Sequence, residues 1–133
     1  AKPKRKYKPV SKLLSPKWKP IAPYNARLQE AVEKKDEVAV ANIFEEIYYN
    51  ELMINLDTIH LLMKHAINTL NEELLVQARG LMTAYDLRAN ETTYNLSIEF
   101  YKLTNNDLAL EDAQHKLKDY LFAKQHLPHL VSQ

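Results

Sequence analysis

The sequence contains no cysteine, which excludes disulfide bridges, thiolate metal sites and cysteine nucleophiles. Gly80 is the only glycine, so a phosphate-binding loop that needs several glycines is excluded as well. No apolar run approaches the roughly 18 residues that indicate a membrane-spanning helix. The chain of 133 residues is nevertheless 46% hydrophobic, which is enough for the core of one domain.

Positive charge is concentrated at the start of the chain. Residues 1–23 carry eight lysines and arginines and no acidic residue, whereas the remainder carries ten bases against seventeen acids. The two parts therefore have net charges of +8 and −7, although the whole chain has only +1. This asymmetry indicates a basic arm for a polyanionic partner, attached to a mildly acidic body.

The basic arm, residues 1–23, also holds five of the six prolines. Because proline lacks a backbone N–H and pushes its predecessor toward extended conformations, we predict an extended arm without a long helix or strand. Lysines can neutralise phosphates of a folded RNA, and Trp18 or Tyr7 can stack on its bases. The predicted RNA-binding residues of the arm are Lys2, Lys4, Arg5, Lys6, Lys8, Lys12, Lys17, Trp18 and Lys19. The alternatives are a solvated, non-specific tail and a leftover targeting segment.

Beyond the arm, the apolar positions recur every 35 residues. The aligned columns are Tyr24 with Ile59 and Tyr94; Leu28 with Met63 and Ile98; Val40 with Leu75 and Leu110; Ile43 with Ala78 and Ala113; and Ile47 with Met82 and Leu117. A fixed period between 20 and 50 residues is typical of solenoids, in which each unit buries its apolar face by stacking on its neighbours. Within each period, apolar residues at helical spacing predict two amphipathic helices separated by a polar break.

The predicted fold is therefore all-α: a short α-solenoid of about three antiparallel helix pairs with an extended basic N-terminal arm. Residues 24–125 form the helical repeat domain and residues 126–133 a C-terminal tail. Thr58 and Thr93 are candidates to cap the first helices of units two and three. Because no fourth unit covers the third, Tyr101, Tyr120 and Phe122 are candidates for an exposed patch.

A two-helix unit of 35 residues with Tyr-Asn opening its first helix resembles the pentatricopeptide repeat. The residues that carry the resemblance are Tyr24-Asn25, Tyr94-Asn95, the 107–110 start of a second helix, and Asn55 and Asn90 closing their units. The resemblance covers about residues 21–125. It implies work on organellar RNA, in which each unit reads one base through two or three side chains.

Carried onto this chain, the resemblance implies three base-reading pairs. They would be Asn25 with Asn55, His60 with Asn90, and Asn95 with Gln125. His60 departs from the usual pattern, and three units would read at most three bases. The acidic body also opposes phosphate binding. The alternative is that the asparagines of these columns cap or end helices.

The remaining polar residues do not predict a catalytic or metal site. His126 and His129 are three residues apart but lie beside a proline, and no set of histidines and carboxylates has metal-ligand spacing. Carboxylate pairs such as Glu45-Glu46 fall on predicted outer helix faces and indicate solvated surface rather than acid–base chemistry. We therefore expect a protein that is not an enzyme and has no metal, cofactor or small-molecule substrate.

The basic arm resembles the tails of ribosomal proteins that thread into ribosomal RNA. Together with the repeat resemblance, this implies that the chain is a structural component of the mitochondrial ribosome, in the matrix. The arm would bind ribosomal RNA, and the helical repeats would contact other ribosomal proteins. The organelle is implied by the family resemblance. One alternative is a free organellar RNA-binding factor for transcript processing, stability or translation. Another is an accessory subunit of a non-ribosomal mitochondrial complex, with its arm on acidic protein or anionic lipid.

Overall fold

The computed structural model describes residues 19–131, and this part of the chain is helical without a strand. The all-α prediction is therefore confirmed for these residues. The helices are α1 Ala22–Glu33, α2 Glu37–Tyr49, α3 Leu56–Thr69, α4 Glu72–Ala84, α5 Glu91–Leu103, α6 Asp107–His126 and the four-residue α7 Pro128–Val131. The predicted extended conformation of the arm lies, up to residue 18, outside the described residues.

Side-chain caps determine where most helices begin. The N-cap residues of α2 to α6 are Asp36, Asn55, Asn71, Asn90 and Asn106, and each side chain accepts a hydrogen bond from a backbone N–H of the first turn. Helix α1 has no such cap and begins one residue before Pro23, at a position where a missing N–H costs nothing. The helix therefore includes the last two residues of the predicted arm, Ala22 and Pro23.

The caps of α3 and α5 differ from the prediction. Asn55 and Asn90 take the N-cap position, because they have the extended backbone that this position requires. The predicted caps Thr58 and Thr93 lie three residues later and complete a capping box, in which each hydroxyl accepts a hydrogen bond from the N-cap backbone N–H. The asparagines thus cap helices, as the alternative interpretation of these columns proposed.

The 35-residue period is also present in the backbone. Five non-glycine residues of the described chain have positive φ, namely Lys35, Glu51, Leu70, Asp86 and Asn105. Three of them, Lys35, Leu70 and Asn105, are spaced by 35 residues, and so are Glu51 and Asp86. Each lies between two helices, where a left-handed residue ends one helix and redirects the chain. The left-handed residues between helices therefore repeat in register with the apolar columns.

The helices pack in pairs and in a row. Helix α1 contacts α2, α3 contacts α4, and α5 contacts α6; in addition α1 contacts α3, and α3 contacts α5. Helix α3 is central and contributes eight buried residues, including Ile59 and Met63. Burial of one such side chain contributes roughly 1.5–3 kcal/mol. The equivalent apolar residues of the third unit, Ile98, Leu110 and Leu117, are only half-buried, because no described helix stacks beyond α5 and α6.

The predicted exposed patch is only partly present. Tyr101 is buried, and its hydroxyl accepts a hydrogen bond of 2.9 Å from Arg79 Nη1 of α4. Tyr120 is half-buried, with its ring centroid 5.7 Å from that of Tyr94. Only Phe122 is exposed. The prediction is wrong for Tyr101, because this position of α5 faces α4 rather than the open end of the row.

Candidate nucleic-acid interface

The predicted RNA-binding residues of the arm from Lys2 to Trp18 lie outside the described residues. Lys19 is described; it is exposed and precedes α1. Its positive charge interacts electrostatically with the carboxylate of Glu46 on α2. The pKa of Glu46 is lowered mainly by a hydrogen bond from Arg27, and Lys19 adds a smaller electrostatic contribution in the same direction.

The first predicted base-reading pair forms a polar cluster between α1 and α3. Asn25 Nδ2 donates a hydrogen bond of 3.0 Å to Asn55 Oδ1, and the Thr58 hydroxyl donates one of 2.7 Å to Asn25 Oδ1. Asn55 Oδ1 also accepts the capping hydrogen bond from the Thr58 backbone N–H. The structure thus brings Asn25 and Asn55 together, but it uses these amide groups to join two helices.

The second predicted pair lies in an equivalent cluster between α3 and α5. His60 Nε2 is 2.7 Å from the Thr93 hydroxyl, and Asn90 Oδ1 accepts a hydrogen bond from the Thr93 backbone N–H. His60 is only 8% exposed. Burial lowers its pKa, the nearby charge of Asp57 opposes this shift, and Lys64 reinforces it. His60 is therefore neutral at pH 7 and does not attract phosphate.

The third predicted pair is not joined. Asn95 and Gln125 are both exposed, and no hydrogen bond connects them in the part of the chain that the structure describes. Gln125 lies inside α6, which continues to His126, whereas Asn55 and Asn90 are N-caps. The position equivalent to Thr58 and Thr93 is Pro128, which has no hydroxyl to donate. This end of the row therefore lacks the polar cluster of the other two.

Several basic side chains of the helical body are already held by carboxylates. Arg27 makes a two-point ion pair with Glu46, at 3.0 and 2.8 Å, across α1 and α2. This hydrogen bonding raises the pKa of Arg27. Two further pairs, Lys34 with Glu30 and Lys116 with Asp112, span one helical turn each. Together with the net charge of −7, these pairs leave the body poorly suited to bind phosphates.

Sequence reasoning missed the threonines as residues that join units. Thr58 and Thr93 each reach back 33 residues, to Asn25 and His60, with the same 2.7 Å separation. The signal was present, because Thr58 and Thr93 occupy one column of the 35-residue repeat beside the columns of their partners. It was interpretable only once the contacts of α3 with α1 and α5 were known.

Within residues 19–131, no group of three or more histidine, aspartate or glutamate side chains could hold a metal ion. No helix of that same range is long and apolar enough to cross a membrane.

In comparisons with known proteins, no family model, no curated protein and no solved structure matches the chain. The resemblance to the pentatricopeptide repeat therefore depends on the residues of this sequence that carry it.

Proposed function

We propose that this chain is a structural component of the mitochondrial ribosome, with the basic arm on ribosomal RNA and the helical repeats against neighbouring ribosomal proteins. The observation that carries the proposal is the division of charge, +8 in residues 1–23 and −7 in the remainder. A basic arm gains affinity for RNA by releasing counterions from its phosphates. The acidic body is repelled by the same phosphates, so its surface suits proteins better than RNA. The mitochondrial matrix is implied by the family resemblance alone.

We further infer that the six long helices form three antiparallel pairs, stacked as a short α-solenoid. The contacts within pairs and along the row α1, α3, α5 support this arrangement. The connections within pairs are short, spanning residues 34–36, 70–71 and 104–106. Such short loops between contacting helices favour an antiparallel orientation. The left-handed residues at intervals of 35 support a repeating unit of the same length.

The polar clusters favour a structural role over a free transcript-binding factor. A base-reading side chain must offer a free hydrogen-bonding edge to a nucleotide. Asn25 and Asn55 are bonded to each other, and His60 is buried against Thr93. These groups therefore serve helix stacking, which leaves the arm as the stronger candidate for RNA contact.

The arm can be tested with purified protein and a ribosomal RNA fragment. We expect the full chain to bind with a steep salt dependence, approaching a slope of about −6 for eight phosphate contacts on single strands. Deletion of residues 1–18, which precede helix α1, removes seven of the eight basic residues of the arm and should abolish this binding. The control variant Asn25→Ala/Asn55→Ala keeps the arm and should bind RNA normally. Full binding without the arm, or loss of binding in the control, would refute the proposed anchor.

A further inference from the structure

A groove of about 800 Å³ lies between α2 and α4, the second helices of consecutive units. Its wall residues include Phe44 and Tyr48 from α2, Leu74 and Leu81 from α4, and Leu62 and His65 from α3. The volume falls in the range of about 300–1,000 Å³ that is typical of ligand-binding pockets. We refer to this feature as the first groove. It is separate from the polar clusters that join α1, α3 and α5.

A second groove, of about 580 Å³, lies between α4 and α6 at the next junction. It can be compared with the first groove position by position. A shift of 35 residues places Arg79 where the first groove has Phe44, and Lys116 where it has Leu81. The same shift replaces Gln77 by Asp112. The second groove is therefore lined by charged side chains at equivalent positions. The apolar lining of the first groove is thus a property of its own sequence and not a requirement of helix stacking.

One buried polar group in the first groove has no partner. His65 is 6% exposed, and its Nδ1 makes no hydrogen bond within the described chain. Burial lowers the pKa of His65, with Glu37 opposing the shift, so the imidazole is neutral at pH 7. An unpaired buried polar group destabilises the folded chain, because it has lost its hydrogen bonds to water. The equivalent residue of the next unit is Phe100, which is fully buried and carries no such cost.

The rim and charge of the first groove indicate the kind of occupant. Tyr48 and Tyr49 are 86% and 84% exposed, and both line the groove. Exposed aromatic side chains of this kind are enriched where proteins bind other proteins. Within residues 19–131, no lysine or arginine lines the groove, and the carboxylates of Glu37 and Glu51 act electrostatically on His65 and Tyr85. An anionic ligand is therefore disfavoured.

We propose that the first groove binds a helical segment of a partner protein that inserts a tyrosine side chain beside His65. A groove between two helices suits a third helix as its occupant. The tyrosine ring matches the apolar and aromatic walls, and its hydroxyl can both donate and accept a hydrogen bond. Nδ1 of His65 is not solvent-accessible in the unbound chain, so the imidazole must turn toward the groove for this hydroxyl to reach it. The hydroxyl can then satisfy Nδ1 of neutral His65 in either tautomer. This inference rests on the part of the proposed function in which the helical body contacts proteins.

The chemistry of the site can be tested by NMR titration of the full chain with N-acetyl-tyrosine amide and N-acetyl-phenylalanine amide. We expect shifts at first-groove amides and about fivefold tighter binding of the tyrosine compound, the equivalent of one hydrogen bond. In His65→Phe the preference should disappear. This variant should fold, because phenylalanine occupies the equivalent position of the next unit. Equal affinity of the two compounds for the wild-type chain, or equal shifts at the second groove, would overturn the proposal.

The protein origin of the tyrosine needs a second experiment. A display library of short helical peptides is selected on the full chain and counter-selected on His65→Phe. Enrichment of tyrosine at one peptide position, lost on the variant, would support the proposal. If free p-cresol binds saturably while no peptide is enriched, the first groove is a small-molecule site and the proposal is wrong. Deletion of residues 1–18 should not change these outcomes, so a failure here is distinguishable from a failure of the RNA anchor.

Discussion

The two junctions between consecutive units have the same backbone pattern and different side chains. Each has a capped first helix, a left-handed residue at the preceding turn and a threonine bonded to the unit before. In the first junction the groove between second helices is mostly apolar and is lined by His65. In the second junction charged side chains are among the lining residues, and Phe100, the equivalent of His65, is buried and is not one of them. The shared features therefore join α3 to α1 and α5. The features that differ are the better candidates for function.

The largest expected effect on stability comes from exchanging Phe100 and His65, which occupy equivalent buried positions of the two junctions. Phe100→His places an imidazole in a fully buried apolar site and should lower the free energy of unfolding by about 3 kcal/mol, from lost burial and an unpaired polar group. His65→Phe removes the unpaired Nδ1 and should be neutral or stabilising by up to about 1 kcal/mol. Urea unfolding followed by circular dichroism measures both. If Phe100→His left stability unchanged, the two positions would not differ as described.

A smaller difference in the free energy of unfolding should separate substitutions of Thr93 and Thr58. Thr93→Val leaves buried His60 without its hydrogen bond and should cost about 2 kcal/mol. Thr58→Val removes the same hydroxyl but leaves Asn25 bonded to Asn55, so it should cost about 1 kcal/mol. The same unfolding measurement compares them. A larger loss in Thr58→Val than in Thr93→Val would show that the clusters do not work as their geometry indicates.

The smallest expected effect is a dependence of stability on pH. Burial lowers the folded-state pKa values of His60 and His65 below the ordinary 6.5, so the unfolded chain takes up protons first as the pH falls. The free energy of unfolding should therefore be highest above pH 6.5 and decrease as the pH falls through 6.5 toward the folded-state values. Thermal unfolding at pH 7.5 and 5.5 measures this loss.

The control for this pH dependence is His60→Asn, which introduces the residue that the other two units have in this column. The new amide can bond Thr93 as Asn25 bonds Thr58. The variant should lose less stability than the wild type between pH 7.5 and 5.5. An identical loss in both proteins would mean that His60 does not titrate as described.

Much of the helical structure was predictable from local sequence. The period of 35 residues gave six helices and their polar breaks, because apolar spacing and turn residues act over a few neighbouring positions. The sequence left the roles of Asn55 and Asn90 open between helix capping and base reading, since an asparagine column suits both. The burial of Tyr101 was missed because it depends on Arg79, which is 22 residues away and belongs to another unit. The first groove was not predictable for a similar reason, because its walls combine residues of α2, α3 and α4.

The central claim is that the arm attaches this chain to ribosomal RNA, and sedimentation of a native organelle lysate tests it most directly. The chain is followed by mass spectrometry through a gradient, with and without ribonuclease. We expect it to migrate with a ribosomal subunit and to leave that fraction when the RNA is digested. Migration in light fractions, or in a large complex that ribonuclease does not change, would contradict the account.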